Sequence, residues 1–265
     1  MDPYFIKVIL TGIIGGASIA LMGTVIVGMR IPFLGIYVSH GAMVGAIFGS
    51  LFGLPEVHSA LAGALLSALV LGSLTPLDSK QGANTAMGIL FSISMGLVFL
   101  GMGLSQGSKA QMLQLMWGSI LFVTWPGFYM ISAVAAVLLL FFIIFAKEVR
   151  AIIFSRMLAA ASGVRETFIW VTFLVLASFI ITSNLRVVGG LMIFSLMTNP
   201  PAAAFRLCRG FTSAAVLSAI FGAASGLGGF LVSYYLNLPT GACIALFSAA
   251  IYVIAILTRR LLIHD

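Results

Sequence analysis

Charge is what this sequence has least of. Asp, Glu, Lys and Arg make up 7% of its 265 residues, against roughly 25% in a soluble globular chain. A water-facing surface cannot be assembled from so few, so a soluble domain is excluded. Cysteine is nearly missing: Cys208 and Cys243 stand far apart with no CxxC or ligand spacing, which argues against a disulfide framework or zinc site and leaves both as small packing residues. There is no phosphate loop of the form GxxxxGK followed by Ser or Thr, so the chain is not expected to hydrolyse ATP itself. The 3 histidines and 6 acids are scattered, against the clustering a membrane enzyme needs. Basic residues come singly or in pairs and form no stripe, so the net charge of +7 does not point to nucleic acid.

What is there is apolar. Hydrophobic residues are 62% of the chain and the mean hydropathy is +1.21. The apolar runs reach about 20 residues, the length a helix needs to cross about 30 Å of hydrocarbon. Lipid supplies no hydrogen bonds, so spans must be helices or a closed barrel, and runs without alternation exclude the barrel. The expected fold is an all-α, polytopic bundle in one domain, residues 1–265, with eight to nine spans. Nine candidates run roughly over Phe5–Val27, Phe33–Phe52, His58–Leu74, Thr85–Met102, Trp125–Phe145, Thr167–Thr182, Val187–Thr198, Phe211–Tyr235 and Ala242–Leu257. The first lacks a cleavage pattern and reads as a retained span. The seventh is expected to break at Asn199, Pro200 and Pro201, where paired prolines remove backbone donors. The stretch around Met112–Val123, with Gly118 and Ser119, reads as a re-entrant or interfacial piece.

Orientation follows from Lys and Arg, which gather in cytoplasmic loops. With the N-terminus outside, the cytoplasmic side receives Arg30, Lys80, Lys147, Arg150, Arg156, Arg165, Arg206, Arg209, Arg259 and Arg260, leaving Lys7, Lys109 and Arg186 outside. The C-terminus is then cytoplasmic. Small-xxx-small spacing, as in Gly12 to Gly16 and Gly222 to Gly226, lets helices approach closely. In the basic loop 147–166, Ser155 reads as an N-cap and Gly163 as a stop, giving a short helix that either docks a partner or simply connects two spans.

Six segments in order resemble the ABC-3 type permeases, the membrane subunits of ATP-binding-cassette importers for zinc, manganese and iron. MRIPFLGIYVSHGAMVG (29–45) resembles RRxSFLGDALSHAVLPG, and NTAMGILFS (84–92) resembles DTAIGIVFS. MWGSILFVTW (116–125) is similar to LFGNILGVSW, and FSRMLAAASG (154–163) to FDPELARALG, the family's coupling helix. VGGLMIFSLMTNPPAAAFRL (188–207) resembles VGTLLVFALLVGPAATALRL. GAASGLGGFLVSYYLNLPTGA (222–242) resembles GALSGVLGLLLSYYLDLPSGA.

The resemblance implies a type II importer-like permease in a prokaryotic plasma membrane, paired with a second copy of itself. It implies two ATPase subunits carrying ATP and Mg inside and a substrate-binding protein outside, with no cofactor on this chain. Coupling to the ATPase would fall to Ser155, Arg156, Met157, Leu158, Ala159 and Gly163. Path residues for a divalent metal would be Ser39, His40, Asn84 and Asn237. Apart from the resemblance, Glu56 and His58, two residues apart in the outer Leu54–His58 loop, read either as an outer gate that meets an arriving cation or as residues that simply solvate the loop. Intramembrane histidine is costly, and neutral imidazole ligates transition metals, although a packing role beside Ser39 is the plainer alternative. The chain also departs from the family: Ile36 stands where the Asp four residues before the histidine would be, Asn84 and Asn237 replace acids, and so do Ser155 and Met157. Those losses keep open a metal chelate or organic solute as cargo. Met22, Met43, Met87 and Met95 read as filler before they read as a thioether path, and Tyr234 and Tyr235 as interfacial anchors. An ion-coupled transporter working alone would need intramembrane acids or inverted repeats, and neither is present.

Overall fold

A computed structural model describes residues 3–74, 80–105 and 115–263. Every regular element among them is helical. In chain order these are α1 (Pro3–Gly28), α2 (Phe33–Leu51), α3 (Glu56–Leu74), α4 (Lys80–Leu104), a 3-10 turn (Ile120–Phe122), α5 (Trp125–Ile144), α6 (Ala146–Phe154), α7 (Arg156–Ala161), α8 (Glu166–Val188), α9 (Gly190–Leu207), α10 (Phe211–Leu236) and α11 (Thr240–Ile263). Seven of them are long and apolar enough to cross a membrane: α1, α2, α4, α5, α8, α10 and α11. With α3 and α9, of 19 and 18 residues, they make the nine-helix order that the hydrophobic runs predict.

Two glycine seams set the packing. Along the antiparallel pair α1 and α10, a Cβ on Gly16 would collide with the Gly222 carbonyl oxygen, and one on Gly226 with that of Gly12. The same seam continues where the Ser218 hydroxyl donates to the Ala20 carbonyl at 2.8 Å. The two small-residue motifs singled out in the sequence therefore face each other. Along α2 and α3, Gly41 lies against Ser67, Gly45 against Gly63 and Gly49 against Ser59. Without a hydrophobic drive between helices in lipid, such close backbone approach is a main source of cohesion. Helices α4 and α5 are the least enclosed and turn Ile89, Ile93, Leu100, Leu139 and Ile143 outward, as a lipid-facing surface requires.

The proline expectation needs correcting. Helix α9 does not break at Asn199, Pro200 and Pro201; it runs unbroken from Gly190 to Leu207 with both prolines inside. The neighbours accommodate what the prolines remove. Gly23 of α1 leaves room for the Met197 carbonyl, which has lost its donor at Pro201, and the Thr198 hydroxyl donates back to Phe194 O. Asn199 Nδ2 reaches Ser248 Oγ of α11 at 3.0 Å. Such compensation by Ser, Thr and adjacent helices is how membrane helices carry proline. The interruption lies instead at Gly189, φ +89°, so the sixth span extends to Val188 and the seventh begins at Gly190. The re-entrant piece packs on that joint: Gly118 at φ +67° lies against the Val188 backbone, and Ser119 N donates to Arg186 O at 3.1 Å. Residues 112–114 of that piece and Lys109 lie outside the described residues.

Alternation of the helices gives the bundle one basic end. Arg30, Lys147, Arg150, Arg156, Arg165, Arg206, Arg209, Arg259 and Arg260 all fall there, and α4 begins there at Lys80. At the opposite end, Lys7 is buried with its ammonium 4.8 Å from the Tyr4 ring and 5.3 Å from the Trp125 ring. Arg186, also there, is paired with Glu56.

Candidate functional site

His40 sits on α2, roughly 10 Å along the helix from Phe33 at a rise of 1.5 Å per residue, and is fully buried. Its Nδ1 lies 2.8 Å from the Ile36 carbonyl oxygen. That oxygen can only accept, so Nδ1 holds a proton, and in the neutral tautomer this leaves the lone pair on Nε2. Nε2 is enclosed and has no partner. The ring is steered by Phe91 of α4, edge to face at 4.8 Å and 86°. A backbone carbonyl on one imidazole nitrogen and an open lone pair on the other is the arrangement that orients metal-binding histidines. Ile36, which contributes no carboxylate, thus still orients the ring through its carbonyl.

Ser39 faces the other way, its hydroxyl 3.0 Å from Ile36 O and 3.1 Å from Gly190 O at the start of α9. A Cβ on Gly190 would stand 2.5 Å from Met43 Sδ, so α2 and the α8–α9 joint meet without space between them. Among the described residues no group of three or more His, Cys, Asp or Glu is placed to hold a metal.

The other residues that the sequence suggests for a path are not gathered around His40. Asn84 lies seven residues before Phe91 on α4, roughly 10 Å toward the basic end, where its Nδ2 donates to Arg30 O at 2.9 Å. Arg30 adopts φ +60°, so this bond holds the left-handed turn between α1 and α2. Asn237 is at the opposite end, exposed, closing α10 in the left-handed region at φ +52°. Asn is one of the few non-glycine residues that adopts this conformation readily.

Glu56 opens α3 and makes a two-pronged pair with Arg186 of α8, one bond of 2.8 Å and a second between Arg186 Nη2 and Glu56 Oε2. His58 is exposed and outside this pair. Glu56 and Arg186 line a cavity of about 510 Å³ between α3, the segment 115–127, α5 and α8. Thr182 lines it as well, with an enclosed hydroxyl that has no partner. Because the pair is largely solvent-exposed, Glu56→Gln is expected to leave the thermal midpoint of the solubilised protein within the shift of about 1 kcal/mol typical of surface pairs. A transport defect in that variant would therefore report on the cavity and not on folding.

At the basic end, Ser155 caps α7 by accepting from Leu158 N at 3.3 Å, and Gly163 follows at φ +84°, as the sequence predicts. Phe154, Met157 and Leu158 are exposed, while Ala159 is buried. Arg156 is not presented outward. Its Nε and Nη2 donate to Glu166 Oε2 at 3.0 and 2.8 Å, its guanidinium lies 5.1 Å from the Trp170 ring, and Thr167 donates to the other Glu166 oxygen at 2.7 Å. This brace fixes α7 to the start of α8. Glu166→Gln leaves the guanidinium enclosed without its counter-charge and is expected to cost on the order of 3 kcal/mol, read as a lowered thermal midpoint.

Sequence reasoning missed the joint of Gly118, Gly189 and Gly241, where three glycines let backbones touch: a Cβ on Gly241 would collide with Trp117 O. The signal was present as Gly189 directly after two β-branched valines, a helix-stop pattern. Asn184, fully buried with Oδ1 against Gly15, carried no comparable signal.

Comparison with known proteins supplies the context. The chain is 25% identical over 253 residues to the manganese transport system membrane protein MntC of Listeria monocytogenes, covering 95% of this chain and 89% of that one. It is 26% identical over 256 residues to a Haemophilus influenzae protein named "Probable iron transport system membrane protein", covering 97% and 94%. The solved structure of PsaBC from Streptococcus pneumoniae in complex with Fab is similar at a TM-score of 0.84 and 25% identity, over 96% of this chain and 91% of that chain. Residues 1–259 match the ABC 3 transport family, and the chain belongs to that family.

Proposed function

We propose that this chain is the membrane-spanning subunit of an ATP-driven importer and forms the path for a divalent transition-metal ion: manganese, iron or zinc. Two copies enclose the path, the basic end faces the cytoplasm with the C-terminus, and an extracytoplasmic binding protein delivers cargo at the Glu56–Arg186 end. ATP and Mg belong to two ATPase subunits that dock on α7. The observation that carries the reading is the enclosed, unpartnered Nε2 of His40, oriented through Nδ1 by Ile36 O. Neutral imidazole is a ligand that manganese, iron and zinc all accept. The relatives named for manganese and iron transport support the same cargo class.

A second reading, in which the cargo is a metal chelate or an organic solute, is favoured by Ile36, which stands one helical turn before His40 and brings no carboxylate to it. A bare divalent ion leaves behind a large hydration energy that one imidazole per copy offsets only in part.

Proteoliposomes carrying this chain with its ATPase and binding protein decide between them. ATP-dependent accumulation of manganese, iron or zinc, read by elemental analysis, supports the free-ion reading. Accumulation only of chelated metal supports the second, and ATP-independent uptake that follows an ion gradient would overturn both.

A further inference from the structure

We propose that the elbow between α6 and α7 is shaped for an ATPase groove with an apolar floor and an acidic rim. The proposal rests on α7 being the docking helix and adds the chemistry of the surface that receives it. Lys147, Arg150 and Phe154 recur at i, i+3 and i+7, one face of a helix, and all three are exposed, Phe154 by 79%. Val149 and Ile152, on the other face of α6, are buried, and Ile153 packs beside Gly28 of α1. The apolar side of α6 is thus spent on its own bundle, which separates it from an amphipathic helix lying on lipid, whose apolar side faces the membrane. What it shows outward is cationic with an aromatic tip.

That tip continues onto α7 through Met157 and Leu158, exposed by 50% and 58%. Arg165 stands exposed just before α8. Phe205 meets Gly28 alongside Ile153, which brings the last turn of α9, and with it the exposed Arg206 and Arg209, to the same surface. Two acids among the described residues fall at this end. Glu166 is consumed by Arg156, and Glu148 is half-buried with Oε2 enclosed. Ser155 and Met157, in the coupling segment itself, add no negative charge. A ring of like charge around a small apolar tip repels itself and is relieved by a partner of opposite sign, which also sets which partner fits.

The test measures binding of the transporter's ATPase subunit to the full-length, detergent-purified chain at increasing salt. Wild-type affinity should fall about tenfold or more between low and high salt, because pairs at an exposed rim are screened. The double variant Lys147→Glu, Arg150→Glu should bind about tenfold more weakly at low salt and lose most of that salt dependence. Leu158→Asp, which spoils the tip itself, should abolish binding. An unchanged elution profile and thermal midpoint show that each variant is folded. If the double variant binds like wild type at every salt concentration while Leu158→Asp does not bind, docking stands and the acidic rim is overturned. If Leu158→Asp also binds like wild type, the docking reading itself has failed. If the double variant weakens only capture by vesicles containing phosphatidylglycerol, relative to pure phosphatidylcholine, the charges serve lipid and the proposal is overturned.

Discussion

Gly222→Leu is expected to lower the yield of folded, monodisperse protein at least tenfold, while Gly96→Leu on α4 leaves it at the wild-type level. The two glycines have the same residue type and opposite surroundings. Beside Gly222 a Cβ meets the Gly16 carbonyl oxygen and the Ala20 side chain, whereas beside Gly96 nothing lies within 4 Å. The Gly16 oxygen belongs to a backbone locked in α1 and cannot turn aside as a side-chain tip would, so α10 has to move bodily. That movement would also open the Gly12–Gly226 contact and break the 2.8 Å bond from Ser218 to Ala20 O. Overpacking costs of about 1–3 kcal/mol are usual where a core can shift, and a seam of helix on helix has less freedom than that. Fluorescence-detected size exclusion of both variants measures the difference. Equal yields would mean that α1 and α10 do not pack through these glycines.

That seam was legible in the sequence because small-xxx-small spacing recurs at Gly12, Gly16, Gly222 and Gly226, although nothing in the spacing says which motif meets which. The nine helices were legible for a coarser reason: a chain with so little charge must satisfy its backbone internally, so each apolar run is forced into a helix. Ser155 and Gly163 bracket α7 through local chemistry alone, a hydroxyl cap and a positive φ, and needed no tertiary knowledge. Pro200 and Pro201 show the limit of that logic. Local rules end a helix there, but the room beside Met197 O depends on Gly23, far away in sequence. The orientation of Arg156 was equally out of reach, since a basic residue in a basic loop looks like surface until Glu166 and Trp170 enclose it. Among the candidate path residues, adjacency kept Ser39 and His40 together. Motif membership put Asn84 and Asn237 beside them on paper, yet they hold turns at opposite ends of the bundle.

His40→Ala is expected to reduce ATP-dependent metal uptake on the order of 100-fold with assembly intact, since loss of even an outer-shell partner costs metal sites 10- to 100-fold. The argument turns on what the ring does besides ligation. Its protein contacts are one bond to Ile36 O, four residues earlier on the same helix, and the edge of Phe91. Neither joins distant parts of the fold through a polar network, so truncation leaves a small cavity beside Phe91 and the helix α2 still pairs with α3 through its glycines. His40→Gln provides the control, because it refills most of that space and keeps an amide able to donate to Ile36 O while lacking the imidazole nitrogen. If both variants fold and bind the ATPase but neither accumulates metal, the Nε2 lone pair is the lost element. If His40→Gln takes up metal as well as wild type, His40 is a packing residue, as the absence of an acid at Ile36 suggests, and the metal path does not run through its imidazole.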